Sequence, residues 1–118
     1  MKSILLLIAL CPLIALGADI SGTWKGTAEL QGRTIERTFT FKVDGNRVTG
    51  ESSSQMMGKS VIIDGKIDGD TVTFTIKGKI QDNEMTLRYT GRISGNEIRF
   101  HVVSDGGMEL DYLAKKIS

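Results

Sequence analysis

From Thr71 to Ile80 the chain alternates strictly. Val72, Phe74, Ile76, Gly78 and Ile80 share one parity, and Thr71, Thr73, Thr75, Lys77 and Lys79 share the other. A period of two marks a strand with one buried face, because successive side chains leave opposite sides of an extended backbone. The same alternation returns along the chain after residue 18, and no helical period does. It predicts eight strands, at Thr23–Leu30, Thr34–Val43, Arg47–Ser54, Ser60–Ile67, Thr71–Ile80, Met85–Ile93, Glu97–Ser104 and Met108–Lys115. Between them one punctuation recurs, in DISGTW, KVDGNRV, KIDGDTV and RISGNEI. Its glycines, Gly22, Gly45, Gly69 and Gly95, are 23, 24 and 26 residues apart, the length of one hairpin per repeat. Asp-Gly and Ser-Gly supply the positive φ that tight hairpin turns demand.

Connections this short pair each strand with its successor. The predicted fold class is therefore all-β, an eight-stranded antiparallel up-and-down meander closed as a β-barrel when the last strand pairs along the first. Closure removes both sheet edges. The alternative is a β-sandwich of the same strands, which the lack of a long crossover disfavours. On the first strand the parity turns Trp24, Gly26, Ala28 and Leu30 inward, with Trp24 at the end where the Asp-Gly and Ser-Gly turns gather. There it is expected to plug the barrel among Phe41, Val48, Ile67, Val72, Ile98 and Tyr112.

The segment before the strands has a different character. Lys2 is followed by an apolar run from Ile4 to Leu16 broken only by Pro12, with Ala15, Gly17 and Ala18 as small residues for cleavage. That is the pattern of a signal peptide over residues 1–18, leaving a single domain at 19–118 and predicting export to the periplasm or beyond. The apolar run is too short for a membrane span. Cys11 is the chain's one cysteine, and Leu10 in front of it argues against a lipidation site. Without the leader the domain has no thiol and no disulfide, so its stability must come from burial and strand pairing.

Charge narrows the function. The chain carries 15 basic and 14 acidic residues; Lys2 leaves with the leader, so the domain is neutral. A neutral surface lacks the basic face that nucleic acid requires. His101, the single histidine, falls on the outward parity, away from Ser52, Ser54 and Ser104, and no pair of carboxylates faces inward. The pattern predicts neither catalysis nor a metal site nor a cofactor.

The Gly-x-Trp of Gly22 and Trp24, at the head of the first of eight strands, resembles the opening of lipocalins, fatty-acid-binding proteins and avidins, the calycin group of barrels. The resemblance implies a barrel with its Trp closing one end and a ligand in the lumen. Departures accompany it. The nearest match to the lipocalin Thr-Asp-Tyr motif, Leu110-Asp111-Tyr112, lies in another strand, and Lys115 replaces the basic residue over the Trp only by analogy. Avidins stack biotin on several tryptophans where this chain has one. SGTW is also similar to small periplasmic barrels that inhibit secreted metalloproteases, though those carry a disulfide, and to small exported bacterial proteins of the SGTW-x-G type.

Polar groups enter the inward parity only toward the end opposite Trp24, which carries the longer loops and is the expected mouth. The candidate ligand-binding residues there are Arg37, Ser52 and Ser54; Val61 and Ile63; Met85 and Leu87; and Ser104 and Met108. Met56 and Met57, in the loop SSQMMGK, are candidates for a soft lid. Arg37 stands where an aliphatic residue would suit a core better. It is expected either to anchor an acidic group or to pair with a mouth carboxylate such as Glu51 or Glu109. These features predict a monomer that binds a small apolar or acidic amphipathic ligand in a cavity of roughly 300 Å³ or more. The rival prediction is an interaction module, such as an inhibitor, with a filled barrel and functional loops.

Overall fold

The computed structural model describes residues 18–118, except 56 and 81, and shows eight antiparallel strands closed into one barrel in sequence order. They are β1 (Gly22–Leu30), β2 (Arg33–Asp44), β3 (Arg47–Ser54), β4 (Gly58–Asp68), β5 (Thr71–Ile80), β6 (Asn83–Ser94), β7 (Glu97–Ser104) and β8 (Glu109–Lys116). The leader assigned to residues 1–18 lies outside the described residues except for Ala18. Among the described residues no helix is long and apolar enough to cross a membrane.

The three punctuating turns have one geometry. Asp44 pairs with Arg47, Asp68 with Thr71 and Ser94 with Glu97, so each loop holds two residues. Gly45, Gly69 and Gly95 occupy the first loop position at φ 66°, 61° and 60°. Positive φ confined to the first position belongs to the II′ turn, whose twist suits a hairpin and which takes glycine there.

At this end Trp24 is buried and its Nε1 donates to the Ile20 carbonyl at 2.9 Å. The segment before β1 lies over the same end. The Ala18 N–H donates to the Gly69 carbonyl at 3.1 Å, and Ser21 Oγ accepts from the Val43 N–H at 3.0 Å. Lys115, which the analogy sets over the indole, is exposed on the outward parity.

Above Trp24 the interior is aromatic. The Phe39 ring has those of Phe41, Phe74, Tyr89, Phe100 and Tyr112 around it at centroid distances of 5.1–6.4 Å. Inward glycines make room for these rings rather than leaving space. A Cβ on Gly91 would meet Phe100 at 2.6 Å, and one on Gly26 would meet Phe39 at 3.1 Å.

Two features depart from simple alternation. The parity predicts Val61 and Ile63 on the inner face, but Ser60 and Ile62 are buried there instead; Val61 is 63% exposed and Ile63 is half-buried. A bulge between Ile63 and Lys66 causes the exchange. Asp64 and Gly65 lie between Ile63 and Lys66 on β4 where only Phe74 lies between Thr75 and Thr73 on β5, and Asp64 takes φ 56°. The extra residue reverses the inward parity on its far side.

The second departure is the closing seam. β1 pairs with β8 only from Trp24↔Lys116 to Thr27↔Leu113, while β1–β2 and β7–β8 continue toward the mouth. Continued pairing would set Glu29 directly across from Asp111, two like charges that disfavour the ladder. Thr34 Oγ1 also donates to Glu29 at 2.7 Å from the other side. The Thr23 N–H and carbonyl bond to Ser118 and Ile117, so the odd-numbered residues of β1 turn their peptide groups toward β8. Hydrogen exchange checks this directly. The amides of Lys25, Thr27, Leu113 and Lys115 are expected to exchange as slowly as those of β5 and β6, with those of Glu29 and Asp111 fast. Uniform protection along both strands would mean a seam closed throughout.

Candidate functional site

The mouth half of the barrel contains a cavity of about 80 Å³ lined by Arg37, Ser54, Met57, Met85, Leu87 and Ser104, with Met108 at its rim. These seven are among the residues selected from sequence. Ser52 is fully buried just below, as the partner of Arg37. Met108 is 45% exposed and precedes β8, which starts at Glu109 rather than at Met108. Val61 and Ile63 are absent from the lining because the β4 bulge turns them away, and Met56 lies outside the described residues. Leu30, Ile35, Tyr89, Val102, Leu110 and Tyr112 complete the wall; alternation turns Leu30 inward and sets Tyr112 near Trp24, but selects none of the six as a ligand residue. Tyr89 was within reach of the same reasoning, being two residues from Leu87 on one strand.

The cavity is well below the roughly 300 Å³ expected of a small-molecule pocket. Side chains fill the difference. Met57 reaches inward from the loop between β3 and β4, and its Cε takes the space that a Cβ on Gly78 would need. The loop itself is three residues, Ser54 pairing with Gly58, and Ser54 Oγ fixes it by accepting from the Met57 N–H at 3.1 Å.

Arg37 is 4% exposed and has no carboxylate partner among the described residues. The expected alternatives are engaged elsewhere, Glu51 with Lys59 at 3.5 Å and Glu109 with His101 at 2.8 Å. Its Nη1 donates to Ser52 Oγ at 2.9 Å, which orients the guanidinium. Nη2 donates to Met57 Sδ at 3.3 Å, and Nε has no partner. Nε and Nη2 form one edge of the guanidinium fork, the edge that takes a carboxylate through two parallel hydrogen bonds. A thioether, a weak acceptor, stands against it.

Tyr89 belongs to the same cluster. Its buried Oη also lacks a partner. Burial pushes its phenol above the ordinary range, more than the nearby Arg37 charge pulls it down, so it stays a neutral donor. Two orphaned polar groups, one of them charged, thus stand in an apolar chamber where each is costly unless something completes it.

The outer wall carries a second arrangement that alternation missed. His101 on β7 meets Asp111 at 2.6 Å through Nδ1 and Glu109 at 2.8 Å through Nε2, both on β8. The bond to Asp111 raises its pKa most; desolvation pulls the other way, and the Asp111 charge, then the bond to Glu109 and its charge, leave the net shift upward. The cluster borders a surface groove of about 880 Å³ along the open seam, shared among β1, β7 and β8. Each carboxylate holds a different ring nitrogen, so the three groups do not converge on one point, and no potential metal cluster occurs among the described residues. Compared with known protein families, curated proteins and solved structures, the chain finds no match.

Proposed function

We propose that this barrel binds a small amphipathic acid in the mouth half of its lumen, with the acidic group on the Nε–Nη2 edge of Arg37 and the apolar part among Leu87, Val102, Met85 and Met108. The observation that carries the reading is the buried guanidinium with no carboxylate of its own. Burying an uncompensated charge costs several kcal/mol by general estimate, and a ligand anion offsets that cost through a charge-assisted bidentate bond. Tyr89 offers a neutral O–H donor beside it.

About 80 Å³ accommodates a carboxylate and a few carbons. The bidentate bond requires the Met57 thioether to leave the Arg37 edge, and a longer chain requires the whole of this flexible side chain to repack. The role is binding rather than catalysis, in an exported protein, and a calycin-like relationship accords with the closed eight-stranded meander and the buried Trp24. A fluorescent fatty-acid-like probe should bind saturably and be displaced by a straight-chain carboxylic acid better than by the corresponding amide. Equal displacement by acid and amide would remove the anion from the reading.

The nearly filled interior favours a second reading, a protein-interaction module that works through its loops and outer groove. In that case no apolar probe binds in the lumen.

A further inference from the structure

We infer that Met57 is an oxidation site, and that its sulfoxide, received by Arg37, keeps the barrel folded and shuts the lumen. Outside the leader the chain has no cysteine, so its oxidisable sulfur is methionine. Of these residues Met57 has the thioether that a cation already addresses, with Arg37 Nη2 at 3.3 Å from Sδ. It is half-buried in a three-residue loop at the mouth, within reach of a small oxidant.

The chemistry is a two-electron oxygen transfer from a hydroperoxide. A sulfur lone pair attacks the terminal peroxide oxygen, the O–O bond breaks, the thioether becomes a sulfoxide, and the hydroperoxide leaves reduced as water or an alcohol. The peroxide proton ends on that leaving oxygen.

Methionine oxidation ordinarily disrupts a packed interior, because it introduces a polar oxygen that nothing there satisfies. The surroundings of Met57 reverse that expectation. Arg37 Nη2 has only sulfur as an acceptor, while Arg37 Nε and Tyr89 Oη have no partner at all. A sulfoxide oxygen is a strong acceptor, and on Met57 it would form beside a cationic donor that now has only sulfur, in a cavity also lined by Tyr89. It also takes the guanidinium edge that a ligand carboxylate would use. This closure rests on the proposed lumen site; the survival of the oxidised fold does not.

The experiment treats the domain with hydrogen peroxide, maps sulfoxides by peptide mass, and measures denaturant unfolding and probe binding, with Met57→Leu treated in parallel to account for Met56, Met85 and Met108. Sulfoxide is expected at Met57 while the protein is folded. The oxidised wild type should unfold at a denaturant concentration no lower than the reduced form and lose probe binding, whereas oxidation should leave the affinity of Met57→Leu, whatever its value before treatment, unchanged. In Arg37→Met the same oxidation should lower the midpoint. Two results overturn the inference: Met57 staying a thioether in the folded protein, or its oxidation lowering the wild-type midpoint as much as that of Arg37→Met. Should Arg37→Met fail to fold, Met57→Gln serves in its place, presenting an amide oxygen where the sulfoxide oxygen would lie. It should be more stable than Met57→Leu, and equal or lower stability overturns the inference. If the reduced wild type binds no probe, the lumen reading fails alone, and the unfolding measurements still decide the oxidation site.

Discussion

Trp24→Ala is expected to destabilise the domain by about 3 to 5 kcal/mol, the loss typical of emptying a large aromatic site in a core. Trp24 is 1% exposed, and its indole is the floor on which the aromatic interior rests. Two costs combine. Removing the ring leaves a void that a closed barrel cannot collapse, because every strand is held on both sides at this end. Removing Nε1–H also strands the carbonyl of Ile20, itself buried, and loosens the segment laid across the barrel end. A domain of this size has about 5 to 15 kcal/mol in total, so the variant is expected to be partly unfolded at moderate temperature. Trp24→Phe separates the two costs: it keeps most of the volume, loses the hydrogen bond, and should give up about 1 to 2 kcal/mol. Equilibrium denaturation measures both. A loss below about 1 kcal/mol for Trp24→Ala would mean that the indole does not hold this end of the barrel together.

Arg37→Met carries the largest expected effect on binding. Removing one side of a buried, bidentate charge pair weakens an acidic ligand by about 2 to 4 kcal/mol, roughly 30- to 1000-fold in affinity. The fold should respond in the opposite sense. Methionine takes away a buried charge that no carboxylate of the described chain compensates, and leaves behind two acceptors without their donor, Ser52 Oγ and the weak thioether of Met57. Replacing buried ionic groups by apolar ones of similar volume is commonly neutral or stabilising. Weaker binding with undiminished stability is therefore the signature of an anchoring arginine. Stability falling by about 3 to 5 kcal/mol, with affinity changing only in proportion, would instead assign Arg37 a structural partner.

Much of this architecture is written in local patterns. The Asp-Gly and Ser-Gly pairs have one mechanical meaning, positive φ in a two-residue loop, and the unbroken alternation from Thr71 to Ile80 admits one inner face. Trp24 followed from the same parity. The β4 register was harder because Val61, Ile62 and Ile63 are all apolar, so either parity buries two of them or one with equal plausibility. What decides is Asp64-Gly65, a pair that tolerates a left-handed residue and accommodates the bulge.

The open seam depends on which residues face across a closure. Glu29 and Asp111 are 82 positions apart, and neither is unusual on its own strand. Cavity size was illegible for a related reason. Gly78 and Gly91 carry no side chain of their own, yet Phe100 fills the place beside Gly91 and Met57 the place beside Gly78, contacts set by side-chain directions across strands. Arg37 was legible as an anomaly, but the two carboxylates named as its partners, Glu51 and Glu109, are taken by Lys59 and His101.

The central claim is that the mouth half of the lumen is a site for a small acid, and amide chemical-shift mapping of the 19–118 chain tests it most directly. On addition of a short straight-chain carboxylic acid, the account predicts saturable shifts at Arg37, Ser52, Ser54, Leu87, Tyr89 and Ser104, with Trp24 and its surroundings unmoved and no response to the matching amide at the same concentration. Shifts confined to the outer groove at Thr27, Arg99 and Leu113, or no shifts at any residue, would contradict it.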